Sequence, residues 1–390
     1  MPPSTAPAPA TPPPTTPDRP PPATSEGATD APPTASFRLG YQPALDGLRG
    51  VAVIMVVLYH VGSYLWLGSP AWTLHAGFLG VDLFFVLSGF LITVLLLGEA
   101  DRRGGVALGG FATRRLRRLA PVLVAVMAAL LALALSGKMY ATDSVLETTV
   151  PVLTFTHNWA VAAGDPVLVG HLWSIGVEAQ FYLLWAVAVV LALRTPRPHV
   201  VLAVVALVGI VAVVAWRAYL LDDGAELFAL YVRTSTRLDA PLIGALAGVV
   251  ASAGWLPWFR GRVAAVSGAT GLVLVVSAAV VLDFGDPTLY RGLFAAIALC
   301  AALGVLAAVR SAPGPFVRVL SVRPLIAAGI ISYSMYVWHL PVFQIVLKNT
   351  RGWEVLPRAA IALGISLALA VLSYRFIERP FLRRRRPTRA

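Results

Sequence analysis

Apolar residues occur along the chain in ten runs of about 20 residues, separated by shorter polar loops. A run of this length spans the hydrocarbon core of a bilayer as an α-helix, so the pattern predicts a bundle of about ten transmembrane helices. An eleventh stretch, 144–161, is apolar enough to be considered as a further span. The ten predicted spans are 46–66, 78–98, 119–137, 172–193, 200–220, 237–252, 263–282, 289–309, 325–347 and 356–376.

Arginines in the loops decide between ten and eleven spans. With ten spans and a cytoplasmic N-terminus, the arginine-rich loops and the block Arg383–Arg386 all lie on the cytoplasmic side, as is typical of the flanks of membrane helices. A full span at 144–161 would invert every later loop. We therefore predict that both termini are cytoplasmic, and we interpret 138–171 as an outer loop with a partly embedded helix.

The composition indicates a multi-pass protein of the cell membrane. The chain is 58% hydrophobic and 13% charged, with a mean hydropathy of +0.77, which excludes an ordinary soluble globular protein. The formal net charge of +12 comes largely from loop arginines, so it indicates membrane orientation and not a nucleic-acid partner. The single cysteine, Cys300, excludes a disulfide framework and a cysteine-ligated metal site.

The two ends of the chain differ from the membrane domain, which we place at 41–380. Residues 1–36 hold thirteen of the thirty prolines and no apolar periodicity, which predicts a disordered, partly polyproline-II cytoplasmic tail. No basic region followed by an apolar stretch occurs there, so this segment is not interpreted as a signal peptide. Residues 381–390 are predicted to form a basic cytoplasmic tail.

Polar side chains follow one face of two predicted helices. Ionisable residues are costly in the hydrocarbon and mark functional sites, so these faces are expected to point into a cavity. A spacing of three or four residues places the members of each set on one helical face. The two sets are His171, Ser174 and Glu178 in HLWSIGVEAQFYLLW, and Ser332, Tyr336 and His339 in ISYSMYVWHLP.

The first two predicted spans contribute further polar residues. Arg49 and His60 share a face of the first span and are separated by about 16 Å along its axis. In GVDLFFVLSGF, Asp82 lies near the outer end of the second span and Ser88 near its middle. Asp82 could instead anchor a helix N-terminus, and Ser88 with the glycine after it could serve close packing. Three of the six histidines are predicted to converge in the outer half of the membrane: His60, His171 and His339.

A cluster of arginines precedes the third span in the segment FATRRLRRLAP. Arg115 and Arg118 are about one helical turn apart, so their guanidinium groups can bind a phosphate from one face. Orientation of the neighbouring span is an equally good explanation of the same arginines.

Six motifs in order resemble those of the membrane acyltransferase-3 family, over about residues 41–380. Members of this family transfer acyl groups to sugars, peptidoglycan, lipopolysaccharide or macrolide-type products, and they have a ten-helix membrane core. The motifs are LDGLRG with Arg49 and His60 eleven residues apart, GVDLFFVLSGFLIT, RRLRRLAP, HLWSIGVEAQFYLLW, ISYSMYVWHLP and FIERPF.

The resemblance implies roles for individual residues. Arg115 and Arg118 match the motif implicated with the acyl-CoA donor, His60 matches the essential histidine of the first helix, and Glu178 matches the acidic residue of the WS-x-x-x-E motif. Some members carry an extracytoplasmic esterase-like domain that passes on the acyl group. This sequence ends at Ala390 without one, so we expect such a relay to need a separate transferase partner.

These observations predict an integral-membrane O-acyltransferase with acyl-CoA, in the simplest case acetyl-CoA, as co-substrate and no bound cofactor or metal. The acceptor is expected to be a hydroxyl of a carbohydrate, a cell-envelope glycan or a glycosylated natural product. His60 is predicted to act as general base, with Glu178 or Asp82 orienting its imidazole. Donor binding is assigned to Arg49, Arg115 and Arg118, and the acceptor pocket to Asp82, Ser88, His171, Ser174, Tyr336 and His339.

Some alternatives stay open at the level of sequence. Direct attack by the acceptor is preferred, but an acyl-enzyme on Ser88, Ser174 or a tyrosine is an alternative. A hydroxyl from Tyr336 or a serine is expected to stabilise the oxyanion. A proton-coupled transporter or exporter would also bury histidines and acids, but it gives no reason for the arginine pair. A zinc enzyme is a third class, although no HExxH-type spacing occurs.

Overall fold

The computed structural model describes residues 39–65, 74–137, 139–165 and 168–382, and this part of the chain forms helices and no strands. The predicted all-α class is therefore confirmed. The predicted tail 1–36 and residues 383–390 of the predicted basic tail lie outside the described residues. The helices are α1 (Pro43–His60), α2 (Gly80–Arg103), α3 (Leu108–Leu135), α4 (Thr142–Leu153), α5 (His157–Ala162), α6 (Trp173–Ala192), α7 (Pro198–Asp222), α8 (Leu227–Val232), α9 (Thr234–Arg237), α10 (Asp239–Ser252), α11 (Gly261–Val281), α12 (Phe294–Arg310), α13 (Pro315–Leu320), α14 (Arg323–Ile330), α15 (Ser332–Asn349), α16 (Val355–Ser373) and α17 (Arg379–Leu382).

The predicted spans coincide with helical segments, but two of them do not form a single long helix. Eight of the described helices are long and apolar enough to cross a membrane. The ninth predicted span is divided into α14 and α15, which are bent by 71° relative to each other. The sixth contains α10, which has only 14 residues. The chain is thus a multi-pass membrane protein, whereas the side on which its termini lie stays a prediction.

The stretch 144–161 is not a single helix. It contains parts of the short helices α4 and α5, with Phe155 between them at a φ of 58°. A positive φ is unfavourable for a bulky side chain and ends a helix. Two short helices therefore stand where one partly embedded helix was predicted, and 144–161 is not one continuous span, whereas the outer position and partial embedding of 138–171 stay predictions.

The helix α3 begins eleven residues before the predicted start of the third span. It starts at Leu108 and continues through Pro121, although proline removes one backbone hydrogen bond from a helix. The predicted boundary at residue 119 followed hydropathy alone, which the arginines interrupt. As a result, Arg115 and Arg118 project from the same continuous helix as the apolar span.

The helix α2 lies in the interior of the bundle and packs closely against α10. In the most apolar stretch of the α2 segment, 78% of the residues are buried inside the protein, whereas only 17% are buried in the corresponding stretch of α7. A Cβ atom on Gly89 would lie 2.0 Å from the carbonyl oxygen of Pro241, and one on Gly244 would lie 2.0 Å from that of Val86. Only glycine permits such backbone proximity. The packing explanation offered for the Ser88–Gly89 pair therefore holds for Gly89.

The glycines of the LDGLRG motif allow α1 to cross α13 and α14. A Cβ atom on Gly47 would lie 1.7 Å from the carbonyl oxygen of Leu320. A Cβ atom on Gly329, in α14, would lie 1.8 Å from the carbonyl oxygen of Asp46. The crossing fixes the start of α1 beside the break at Ile331, where α15 begins, and so brings Arg49 next to Ser332.

Candidate active site

Two cavities lie along the helices α1, α2, α6 and α15. The first, called here the arginine cavity, also involves α3 and contains three guanidinium groups and one carboxylate. Its lining residues are Arg49, Val81, Phe84, Phe85, Leu87, Ser88, Leu91, Ile92, Arg115, Arg118, Leu119, Ser174, Ile175, Glu178, Tyr182, Ser332, Tyr333 and Tyr336. This lining brings together the three predicted donor-binding arginines and three of the six predicted pocket residues, Ser88, Ser174 and Tyr336.

The arginines of α3 are divided between the arginine cavity and the exposed surface. Arg115 and Arg118 are half-buried, whereas Arg114 and Arg117 are exposed. Arg114 pairs with Glu99 at 2.6 Å. The Arg115 guanidinium lies 6.0 Å from the centroid of the Tyr182 ring, at a cation–π distance. The helical period therefore directs one pair of arginines to the arginine cavity and the other away from it.

Two further contacts describe how the arginines are held. Arg49 donates a hydrogen bond to the Ser332 hydroxyl at 3.2 Å. The Nε of Arg115 is buried and has no hydrogen-bond partner among the described residues. An unpaired buried donor of a charged group is unfavourable. The arginine cavity thus offers positive charge and an unused N–H donor to an anionic ligand.

Glu178 accepts hydrogen bonds from the hydroxyls of Ser88 and Tyr182. The predicted pairing of Glu178 with His60 is therefore wrong. Seven residues separate His171 from Glu178, a rise of about 10 Å, so one helical face carries side chains to two different depths. His171 reaches the second cavity, whereas Glu178 reaches the arginine cavity.

The second cavity, called here the histidine cavity, is lined mainly by aromatic residues. Its lining residues are Val56, Tyr59, His60, Ser63, Tyr64, Phe78, Val81, Gly170, His171, Trp173, Phe228, Tyr231, Phe284, Tyr336 and Leu340. Among these described residues there is no Asp, Glu, Lys or Arg. The histidine cavity therefore differs chemically from the arginine cavity, and it suits an uncharged group.

The predicted convergence of three histidines is confirmed. The ring centroid of His339 lies 4.9 Å from that of His60 and 5.1 Å from that of His171. His60 and His171 line the histidine cavity, whereas His339, predicted to belong to the acceptor pocket, is fully buried and lines neither cavity. In the described part of the chain, no three His, Cys, Asp or Glu side chains are arranged to hold a metal ion.

Tyr336 lines both cavities, as does Val81. The Tyr336 hydroxyl donates to the carbonyl oxygen of His171 at 2.5 Å and lies 2.8 Å from the Ser174 hydroxyl. Because a phenol has one proton, the Ser174 hydroxyl is the donor in the second contact. These hydroxyls, which the sequence placed in the acceptor pocket, lie at the junction of the two cavities.

Asp82 lines neither cavity, so its predicted place in the acceptor pocket is wrong. It forms a fully buried ion pair with Arg237, at 2.6 Å. A second buried pair joins Arg217 to Asp239 at 2.8 Å. Sequence reasoning did not identify these partners, although Arg217 falls inside a predicted span, where an ionisable residue is by itself a signal of a specific partner.

Comparison with known proteins identifies the family. The acyltransferase-3 family, described as an acyltransferase domain, matches residues 42–375. The chain therefore belongs to this family, which favours the predicted enzyme class over the transporter and the zinc enzyme.

Two relatives carry more specific names. The O-acetyltransferase OatA of Staphylococcus aureus is 29% identical over 363 residues, covering 87% of this chain and 57% of the relative. The peptidoglycan O-acetyltransferase OatA of Listeria monocytogenes is 31% identical over 371 residues, covering 89% of this chain and 57% of the relative. This chain thus spans little more than half the length of these relatives. No solved structure is detectably similar.

Proposed function

We propose that the chain transfers an acyl group, in the simplest case acetyl, from acyl-CoA to a hydroxyl of a cell-envelope glycan. Family membership supports the reaction class, and the name of the Listeria relative supports peptidoglycan as the first acceptor to test. The observation that carries the proposal is the junction of two chemically different cavities at Tyr336. One is cationic, and the other contains histidines and aromatic rings.

The donor occupies the arginine cavity in this proposal. The phosphates of CoA bind Arg49, Arg115 and Arg118, because guanidinium groups form charge-assisted hydrogen bonds with phosphate oxygens. One of these bonds would satisfy the buried Nε of Arg115. The pantetheine arm is long and thin, and it would bring the thioester past Ser174 to Tyr336.

The acceptor occupies the histidine cavity, where aromatic rings offer flat surfaces to a sugar ring. His60 removes the proton from the acceptor hydroxyl, which attacks the thioester carbonyl directly. The hydroxyls of Ser174 and Tyr336 are the candidate donors to the oxyanion, for which Tyr336 turns its proton from the His171 carbonyl or Ser174 turns its proton from Tyr336. With the predicted topology, the donor enters from the cytoplasm and the acceptor from outside, so the acyl group crosses the membrane during transfer. A separate extracytoplasmic transferase could be the immediate acceptor in the same place.

Reconstitution with defined sides tests the proposal. The full chain is placed in liposomes with isotope-labelled acetyl-CoA either outside or inside, and soluble peptidoglycan fragments are supplied on the opposite side. We expect an added acetyl mass on the glycan only when donor and acceptor occupy the sides that face their respective cavities. Absence of acetylated product in all arrangements, with donor binding intact, would contradict peptidoglycan as acceptor. Absence of donor binding would contradict the assignment of acyl-CoA.

A further inference from the structure

Two carbonyl contacts define where His60 and His339 carry their ring protons. The Nδ1 atom of His339 lies 2.7 Å from the carbonyl oxygen of Tyr336. The Nδ1 atom of His60 lies 2.9 Å from that of Val56. A carbonyl oxygen only accepts, so Nδ1 bears the proton in both rings. A neutral imidazole then leaves Nε2 with a free lone pair.

The two imidazoles are also in direct contact. The Nε2 atom of His339 lies 3.2 Å from the Nδ1 atom of His60. With the protons on Nδ1, His60 shares its single Nδ1 proton between the Val56 carbonyl and Nε2 of His339, and His339 in turn donates from its own Nδ1 to the backbone of α15. Among the described residues, no carboxylate forms a hydrogen bond with either ring, and the predicted partner Glu178 is occupied by Ser88 and Tyr182.

We propose that His339 is the positioning residue of His60, and that it fills the place of the carboxylate in a catalytic triad. This inference rests on the proposed function, in which His60 is the general base. His339 is completely buried, so it acts through His60 and not on the substrate. Together with the Val56 carbonyl it keeps the proton of His60 on Nδ1, and this leaves Nε2 of a ring that lines the histidine cavity without a proton.

The contact contributes at the step in which His60 becomes positively charged. The acceptor hydroxyl gives its proton to Nε2 of His60 as its oxygen bonds to the acyl carbon, and the carbonyl electron pair moves to the oxygen. The charged ring then donates from Nδ1 more strongly to Nε2 of His339. When the tetrahedral intermediate collapses, the carbonyl re-forms, the carbon–sulfur bond breaks and the CoA thiolate takes the proton from Nε2 of His60.

Two amide substitutions at one position distinguish positioning from packing. In His339→Gln, the side-chain oxygen extends to about the position of Nε2 and can accept from His60. In His339→Asn, the shorter amide replaces the contact of Nδ1 with the Tyr336 carbonyl but does not extend to His60. His339→Leu retains volume and removes both contacts. The steady-state kcat and the KM for acetyl-CoA are measured for each variant in liposomes, after confirmation of folding.

We expect His339→Leu and His339→Asn to lower kcat by roughly 100-fold with little change in donor KM. The kcat of His339→Gln should be at least about tenfold higher than that of His339→Leu or His339→Asn. A folded His339→Leu protein with normal kcat would overturn the proposal. Equal activity of the Gln and Asn variants would do so as well, because a packing role does not distinguish the two acceptor positions.

A spectroscopic measurement separates this inference from the proposed function. The chain is labelled with ¹⁵N-histidine in liposomes, and the His60 signals are assigned by their loss in His60→Gln. We expect Nδ1 of His60 to be protonated at neutral pH and its resonance to shift in His339→Leu. Protonation at Nε2 alone would overturn the inference whether or not transfer occurs. A different result is a wild-type protein that shows the expected His60 resonance and its dependence on His339 but transfers no acyl group. That result would contradict the proposed function and leave His339 without a catalytic role.

Discussion

At the scale of single residues, the half-buried arginines of α3 provide the sharpest test of donor binding. Replacement of Arg115 or Arg118 by Ala should weaken CoA binding by about 1.5–3 kcal/mol, the range for a hydrogen bond to a charged group. Lysine should restore only part of this affinity, because it has no bidentate fork. Calorimetric titration of the purified protein with CoA gives the affinity directly.

The exposed arginine next in sequence serves as the matched control. Arg117 lies on the same helix and in the same basic cluster, but it does not line the arginine cavity. Arg117→Ala should therefore change CoA affinity by less than about 0.5 kcal/mol. If all three alanine variants bind CoA equally, the arginines serve membrane orientation and not the donor.

Glu178 and His60 should differ in their effect on donor affinity, since they lie in different cavities. Glu178 is the only carboxylate among the lining residues of the arginine cavity, where it opposes an anionic donor. Glu178→Gln should tighten CoA binding by roughly threefold to tenfold, a change of about 1 kcal/mol for nearby partly buried charges. His60→Ala should leave it unchanged. The same titration checks both variants. Weaker CoA binding in His60→Ala would contradict the assignment of donor and general base to separate cavities.

The sequence predicted which side chains converge better than it predicted their partners. The polar faces of α6 and α15 and the spacing of the two arginines on α3 follow from the helical period alone. The histidine cluster and the arginine pair could therefore be found without a structure. The partner of Glu178 could not, because its depth depends on how α6 is placed axially against α1 and α2. The partner of Asp82 is Arg237, 155 residues away, and a contact of that range depends on tertiary packing.

At the scale of helices, the close crossing of α1 with α13 and α14 depends on two glycines, Gly47 against α13 and Gly329 in α14. Gly47→Ala and Gly329→Ala would each place a methyl group within 2 Å of a backbone oxygen, so the helices must separate. We expect a loss of about 1–3 kcal/mol or more, as for overpacked cores. Gly364→Ala is the matched control, since it lies within α16 with no heavy atom within 4 Å of the added carbon. Thermal unfolding in detergent should show a clear loss for the first two and none for the control.

The buried ion pair between α2 and α9 gives a second test at this scale. Asp82→Ala leaves the Arg237 guanidinium unpaired in the interior, which typically costs about 3–5 kcal/mol. Replacement of both partners, as in Asp82→Leu with Arg237→Met, removes the uncompensated charge and should be much less destabilising. Chemical denaturation of the single and double variants measures the difference. Equal loss in both would show that the charges are needed for more than their mutual pairing.

Hydropathy located the helices but not their breaks. The apolar run 325–347 hides the break between α14 and α15, because Ile331 is as apolar as its neighbours. The run 237–252 begins with Arg237 and Asp239, which form ion pairs with α2 and α7. The helix α10 starts only at Asp239, so it is shorter than a typical span. A helix of 14 residues is about 21 Å long, against a hydrocarbon core of about 30 Å.

At the scale of the whole molecule, the short helix α10 decides how the two cavities face the two sides of the membrane. The loop containing Arg197 and the loop containing Gly285 are separated by α7, α10 and α11. If α10 crosses, the two loops lie on opposite sides, as the distribution of loop arginines predicts. If it does not, they lie on the same side. We expect it to cross, because its N-terminal charges are paired internally and do not oppose insertion.

Cysteine labelling in intact cells settles this arrangement. Cys300 is replaced by Ser, and a single cysteine is introduced as Arg197→Cys or Gly285→Cys, both at exposed positions. A membrane-impermeant maleimide should label Gly285→Cys from outside, and Arg197→Cys only after the membrane is opened. Labelling of both positions from the same side would mean that α10 does not cross, and every later helix would be inverted. The helices that line the arginine cavity would then no longer agree on which end of the cavity is cytoplasmic. Transfer across the membrane from cytoplasmic acyl-CoA would no longer follow from the topology.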